Sequence, residues 1–116
     1  MQLLFQSDII FVYAAKAAKS PREERKMKHA LVFQSDFGYV DGAVSAMYGV
    51  AYGVDPNLNI SNLTHEITPY DIWEASYRLI QTVNYWPAGT VFVSVVDPGV
   101  GSARRSIAVK TTAGQY

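Results

Sequence analysis

The chain has 116 residues, ten basic and ten acidic side chains that cancel, and no cysteine. This length allows one domain with a modest core. The zero net charge supplies no field for nucleic acid or an anionic membrane, so neither is expected as a partner. The missing cysteines exclude disulfides, thiolate catalysis and cysteine-held zinc, and fit a cytoplasmic protein. Apolar residues make up 49% and charged residues 17%, a balance that favours a folded globule over disorder.

Residues 1–28 read as an N-terminal extension. The apolar run Ile9–Ala15 is too short to span a bilayer, which takes about 20 residues. It follows Asp8 with no basic segment before it, unlike a secretory signal. Arg22-Glu23-Glu24-Arg25-Lys26 can all be encoded by purines, and Met27 follows. That pattern resembles a ribosome-binding site ahead of a start codon. The expectation is a translated leader with the natural start at Met27; an amphipathic N-terminal helix is the other reading.

From His29 the elements alternate. Leu31–Ser35 reads as a strand. Residues 42–54 place Ala43, Met47, Val50, Ala51 and Val54 at helical spacing, and Asp55-Pro56 ends that helix. Gly49 and Gly53 are spaced to let it pack closely on a sheet. Leu58–Leu63 reads as a second strand. Thr68-Pro69-Tyr70-Asp71 predicts a helix start with Thr68 as N-cap, Pro69 in the first helical position and Asp71 completing a capping box. Ile72, Ala75, Ser76, Leu79, Ile80 and Val83 then form one apolar stripe, stopped by Trp86-Pro87-Ala88-Gly89. Thr90–Val96 is almost continuously apolar, as a strand covered on both faces is, and residues 106–111 read as a fourth strand with an exposed edge. The order β-α-β-α-β-β predicts an α/β layered domain with a mostly parallel sheet.

Ligands of such sheets bind beyond the carboxyl ends of the strands, where two loops carry acids. Asp36, in Ser35-Asp36-Phe37-Gly38, can accept hydrogen bonds from vicinal hydroxyls or close an Asx-turn. Asp97, in Val96-Asp97-Pro98-Gly99, precedes a Pro-Gly pair suited to a type II turn. Arg104 lies seven residues on, and the loop can fold it back onto Asp97 as a reactive pair or as a structural ion pair. Asp41 is an N-cap candidate. The chain holds no G-x-G-x-x-G and no phosphate-loop lysine. His65-Glu66 lacks the second histidine of a zinc helix, so no metal site is expected, and His29 is expected to be solvated.

Four blocks carry a resemblance over residues 30–116: Gln34-Ser35-Asp36-Phe37-Gly38 with Asp41-Gly42; Thr64-His65-Glu66-Ile67-Thr68-Pro69-Tyr70-Asp71; Trp86-Pro87-Ala88-Gly89-Thr90-Val91; and Val96-Asp97-Pro98-Gly99-Val100-Gly101 with Arg104-Arg105. In these the chain resembles the S-adenosylmethionine hydrolases (hydroxide adenosyltransferases), relatives of the adenosyl-fluoride and adenosyl-chloride synthases. The resemblance implies a cofactor-free reaction in which S-adenosylmethionine and water give adenosine and methionine.

It also implies residue roles. Asp97 and Arg104 match two members of an Asp-Arg-His set that handles the water. Asp36 matches the acid that holds the ribose hydroxyls. Asp41 matches a position near the methionine end of the substrate, and Tyr70 an aromatic beside the nucleoside. The halide-using relatives carry an aromatic hydroxyl in place of the acid at 97, and a carboxylate there would repel a halide. A non-catalytic nucleoside-binding remnant is the further alternative. The family's homotrimer, its C-terminal β-rich domain and its catalytic histidine lie beyond what this chain matches. The expectation is therefore a truncated N-terminal domain, residues 29–116, without appreciable activity alone.

Overall fold

The computed structural model describes residues 29–116; the expected N-terminal extension and start at Met27 lie outside the described residues. The elements run β1 (Ala30–Ser35), α1 (Ala43–Val54), β2 (Asn59–Thr64), α2 (Ile72–Thr82), a 3-10 turn (Val83–Tyr85) and β3 (Val91–Val95). The three strands form one parallel sheet in the order β2-β1-β3, with a helix in each connection, as parallel neighbours require.

β1 is central and buried along its whole length, which is why it shows no polar alternation. Leu31 and Phe33 pack with Val93 and Val95 against Ala51, Met47 and Tyr48 of α1. The next residue, Gln34, points to the opposite face, since side chains alternate along a strand. There its amide donates to the Ala75 carbonyl of α2 at 3.0 Å and to Ser94 Oγ of β3 at 2.9 Å. The two helices thus cover opposite faces, and one buried polar side chain ties β1 to both α2 and β3.

α1 ends as expected, with Asp55 extended at φ −144°. Gly49 and Gly53 are exposed with open space around them, so they do not make the close sheet contact expected of them; Val44 and Ala51 make the buried face. The start of α2 also differs. Asp71, not Thr68, is the N-cap, its carboxylate accepting the Glu74 N–H at 2.9 Å. Pro69 therefore stays outside the helix, because Tyr70 takes φ 65° and breaks the helical path ahead of the cap. The expected apolar stripe of α2 is only partly covered. Ala75 is buried, but Ile72 and Ile80 are exposed, and a groove of ≈ 190 Å³ lined by Ile72, Ala75, Leu79 and Ser94 separates the helix from β3.

The fourth strand does not form at residues 106–111. Residues 106–110 are exposed and irregular. The free side of β3 is met at its start by Tyr116, which donates to the Thr90 carbonyl at 3.0 Å and accepts the Phe92 N–H at 2.7 Å. These are the two bonds of a parallel pairing beside Val91, so residues 106–110 have no edge left there to join. Gln115 is buried beneath this pairing and donates to the Trp86 carbonyl at 2.7 Å.

Candidate active site

Parallel pairing aligns Ser35 with Val95, so the loops after β1 and β3 leave the sheet side by side. Asp36 lies one residue past the first strand and Asp97 two past the other. Asp36 Oδ2 accepts the Tyr70 N–H at 2.7 Å, which joins the β1 loop to the turn before α2. The Tyr70 ring is 62% exposed, available to an incoming planar group. Asp36 is neither an Asx-turn acceptor nor a helix cap; its carboxylate spans between loops, and Oδ1 has no partner among the described residues.

Asp97 and Arg104 form an ion pair through Oδ1 and a terminal guanidinium nitrogen. The same oxygen accepts the Gly99 N–H at 2.8 Å, and Oδ2 takes no partner among the described residues. The turn is not type II: that turn needs a positive φ at Gly99, and the glycine of this loop with positive φ is Gly101, at 79°. The Asx bond from Asp97 to Gly99 holds the turn instead. The Arg104 side chain lies across Gly99, where an added Cβ would come 2.5 Å from Nε, so glycine is required for the close approach. A cleft of ≈ 130 Å³ opens beside the pair, lined by Val96, Asp97, Gly99, Arg104 and Arg105.

Asp41 is exposed and accepts the Ala43 N–H at 2.9 Å. It is not the N-cap itself, a position taken by Gly42. Asp41 sits at the same end of the sheet but makes no bond to Asp36, Tyr70, Asp97 or Arg104. His29 is exposed, with its ring stacked over Gly89. Among the described residues no three His, Asp or Glu side chains gather into a metal-holding group.

One constellation escaped the sequence reading. His65 is fully buried. Its Nδ1 lies 2.6 Å from Ser35 Oγ and its Nε2 3.0 Å from Asn62 Oδ1. Burial pushes its imidazole below the usual histidine range, against a smaller opposing pull from Glu66. The register of β1 and β2 slips between Phe33 and Gln34, skipping Leu63. This bulge re-aims the strand end and accompanies the meeting of Asn62 and His65. The only available signal was a histidine directly after a strand rich in polar residues.

Two loop acids at the carboxyl edge of a parallel sheet, one held by a main-chain donor and the other by a guanidinium, belong to the α/β class of domain whose ligands bind beyond that edge. The chain belongs to the family described as SAM hydroxide adenosyltransferase N-terminal domain, whose family model matches residues 31–116. A (R)-S-adenosyl-L-methionine hydrolase of Salinispora arenicola is 46% identical over 77 residues, 66% of this chain and 29% of its own length. A fluorinase of Actinoplanes sp. is 31% identical over 80 residues, 69% of this chain and 27% of its own. The crystal structure of an uncharacterized conserved protein from Thermotoga maritima superposes with a TM-score of 0.72 at 35% identity, over 74% of this chain and 33% of that one. The chain therefore spans about a third of the length of these relatives.

Proposed function

We propose that this chain is the N-terminal part of a S-adenosylmethionine hydrolase, which transfers the adenosyl group from methionine to water. The observation that carries this reading is the Asp97–Arg104 pair at the mouth of its cleft. Water attacks the 5′ carbon, the C–S bond breaks with its electrons going to sulfur, and the products are adenosine, methionine and a proton. The sulfonium is already a good leaving group, so the main task is to hold and activate water. Asp97 Oδ2 accepts from that water, while Arg104 fixes the carboxylate through Oδ1. An anion at this place repels a halide, which supports water as the nucleophile over fluoride or chloride.

Asp36 offers Oδ1 to the ribose hydroxyls, and the Tyr70 ring lies beside the nucleoside. Asp41, further along the β1 loop, is assigned to the methionine end. A homotrimer, a cytoplasmic location and a cofactor-free reaction belong to the same reading and rest on family membership. The test is to incubate the protein carrying this domain with S-adenosylmethionine, with and without chloride, and separate the products. Adenosine with methionine in both cases is expected. A 5′-halogenated adenosine, or no turnover with an intact fold, sinks the assignment.

A further inference from the structure

Three hydrogen bonds bracket Asp36 without touching its carboxylate. Ser35 Oγ lies 2.6 Å from His65 Nδ1 and accepts the Phe37 N–H at 3.3 Å. The His65 carbonyl accepts the Gly38 N–H at 2.7 Å. The loop residues on both sides of Asp36 are thus fastened to one buried histidine, and the Tyr39 ring meets that imidazole edge-on at 5.3 Å between centroids. We propose that Asn62, His65 and Ser35 form a positioning chain that sets the direction of the Asp36 carboxylate, with His65 as its central positioning residue. This rests on the reading of Asp36 as the acid that binds ribose.

The order of donors follows from the partners. Asn62 Oδ1 can only accept, so His65 Nε2 carries the proton and donates to it at 3.0 Å. Nδ1 is then an acceptor, and the Ser35 hydroxyl donates to it. The Ser35 oxygen keeps its lone pairs for the Phe37 N–H. The opposite tautomer would set Nε2 against a carbonyl oxygen with no proton between them, and would leave the Ser35 hydroxyl proton without an acceptor in a fully buried place. Asn62 thus selects the tautomer, and the tautomer selects the direction in which Ser35 donates. The chain ends on the loop that aims Asp36 at Tyr70.

Asn62 is exposed, so it can be changed without opening the core. The experiment uses the protein carrying this domain, labelled with nitrogen-15, and adenosine as the probe. Nδ1 without a proton and Nε2 with one are expected near neutral pH. Asn62→Ala should mix the two tautomers and speed exchange of the Gly38 and Tyr70 amide protons. It should also weaken adenosine binding about tenfold, the scale of a misdirected hydrogen bond to a charged group. Asn62→Asp, which still accepts from Nε2, should restore all three. The Val32 and Val93 amides report the core and should not change.

An unaltered tautomer in Asn62→Ala, or unaltered Gly38 and Tyr70 exchange once the tautomers have mixed, overturns the proposal. If the tautomer and exchange results hold while adenosine fails to bind even the unaltered protein, the positioning chain stands and the ribose reading falls.

Discussion

The Asp36 carboxylate accepts the backbone N–H of Tyr70 across thirty-four positions of sequence, at 2.7 Å. That bond holds Tyr70 at φ 65°, a region that costs an L-residue roughly 1–2 kcal/mol. Strain of this kind persists where the surroundings over-determine the backbone, commonly at binding sites. Tyr70→Gly relieves it, and the added freedom of the unfolded chain takes back about 0.5–1 kcal/mol. The ring is mostly exposed, so little burial is lost. The expected outcome is a chain equally stable or more stable by about 0.5–1 kcal/mol, with weaker adenosine binding. Urea unfolding and calorimetric titration check it; a clear loss of stability contradicts the strain argument.

The start of α2 separates two similar residues. Asp71 caps through its side chain, whereas Thr68 uses its backbone: its N–H donates to Glu74 Oε2 at 2.9 Å and its carbonyl accepts from Asp71. The bond from Thr68, followed by Arg78, holds the Glu74 carboxyl below the usual carboxylate range. Asp71→Ala should cost about 1 kcal/mol, the usual value of a lost N-cap, and Thr68→Ala clearly less. Equal losses in thermal melts would show that the cap belongs to Thr68 after all.

Gly99→Ala tests the water-handling role proposed for Asp97 and Arg104 without replacing either residue. The new methyl falls 2.5 Å from Arg104 Nε, and the half-exposed arginine side chain can swing away. Stability should stay within about 0.5 kcal/mol, as for other surface changes. The rate of adenosine release by the protein should fall about a hundredfold, as misplacing a catalytic group by an ångström can do. An unchanged rate would show that the ion pair is only structural.

His65 links stability to pH. Its folded-state pKa lies below its unfolded value, because burial favours the neutral ring. Between those two values the unfolded chain binds more protons, so stability rises with pH. The stabilisation is complete above the unfolded pKa, about 6.5, and is lost as pH falls through it toward the folded value. Neighbouring Glu66 opposes the shift, while Ser35, Asn62 and Tyr39 complete the surroundings without a formal charge. The melting temperature should drop from pH 7 to pH 5, and more steeply than in His65→Gln. Parallel curves for the two proteins would remove His65 as the cause.

Much of the fold could be read locally. The alternation of apolar runs with helical spacing places three strands and two helices within a residue or two of where they stand, apart from the start of α2, which falls three residues later than expected, because each depends on neighbours in sequence. The loop acids at 36 and 97 and the return of Arg104 were equally legible, since strand ends and glycine turns are short-range features. The helix start at 68–71 was half legible. Its residue types were right, but the choice of Asp71 over Thr68 turns on the backbone of Tyr70, which a bond from Asp36 holds.

The sequence by itself determined the class of domain, the two acids at the sheet's edge and the family, because periodicity, punctuation and motif order are properties of the linear chain. Only the tertiary structure decided which edge of the sheet is free. It seated Tyr116 beside β3, where residues 106–111 had been expected to pair. It also skipped Leu63 in the register and set exposed Asn62 and buried His65 and Ser35 in one hydrogen-bonded line. Pairing between distant segments is a competition for the same backbone donors and acceptors, and its outcome depends on which segment arrives in reach.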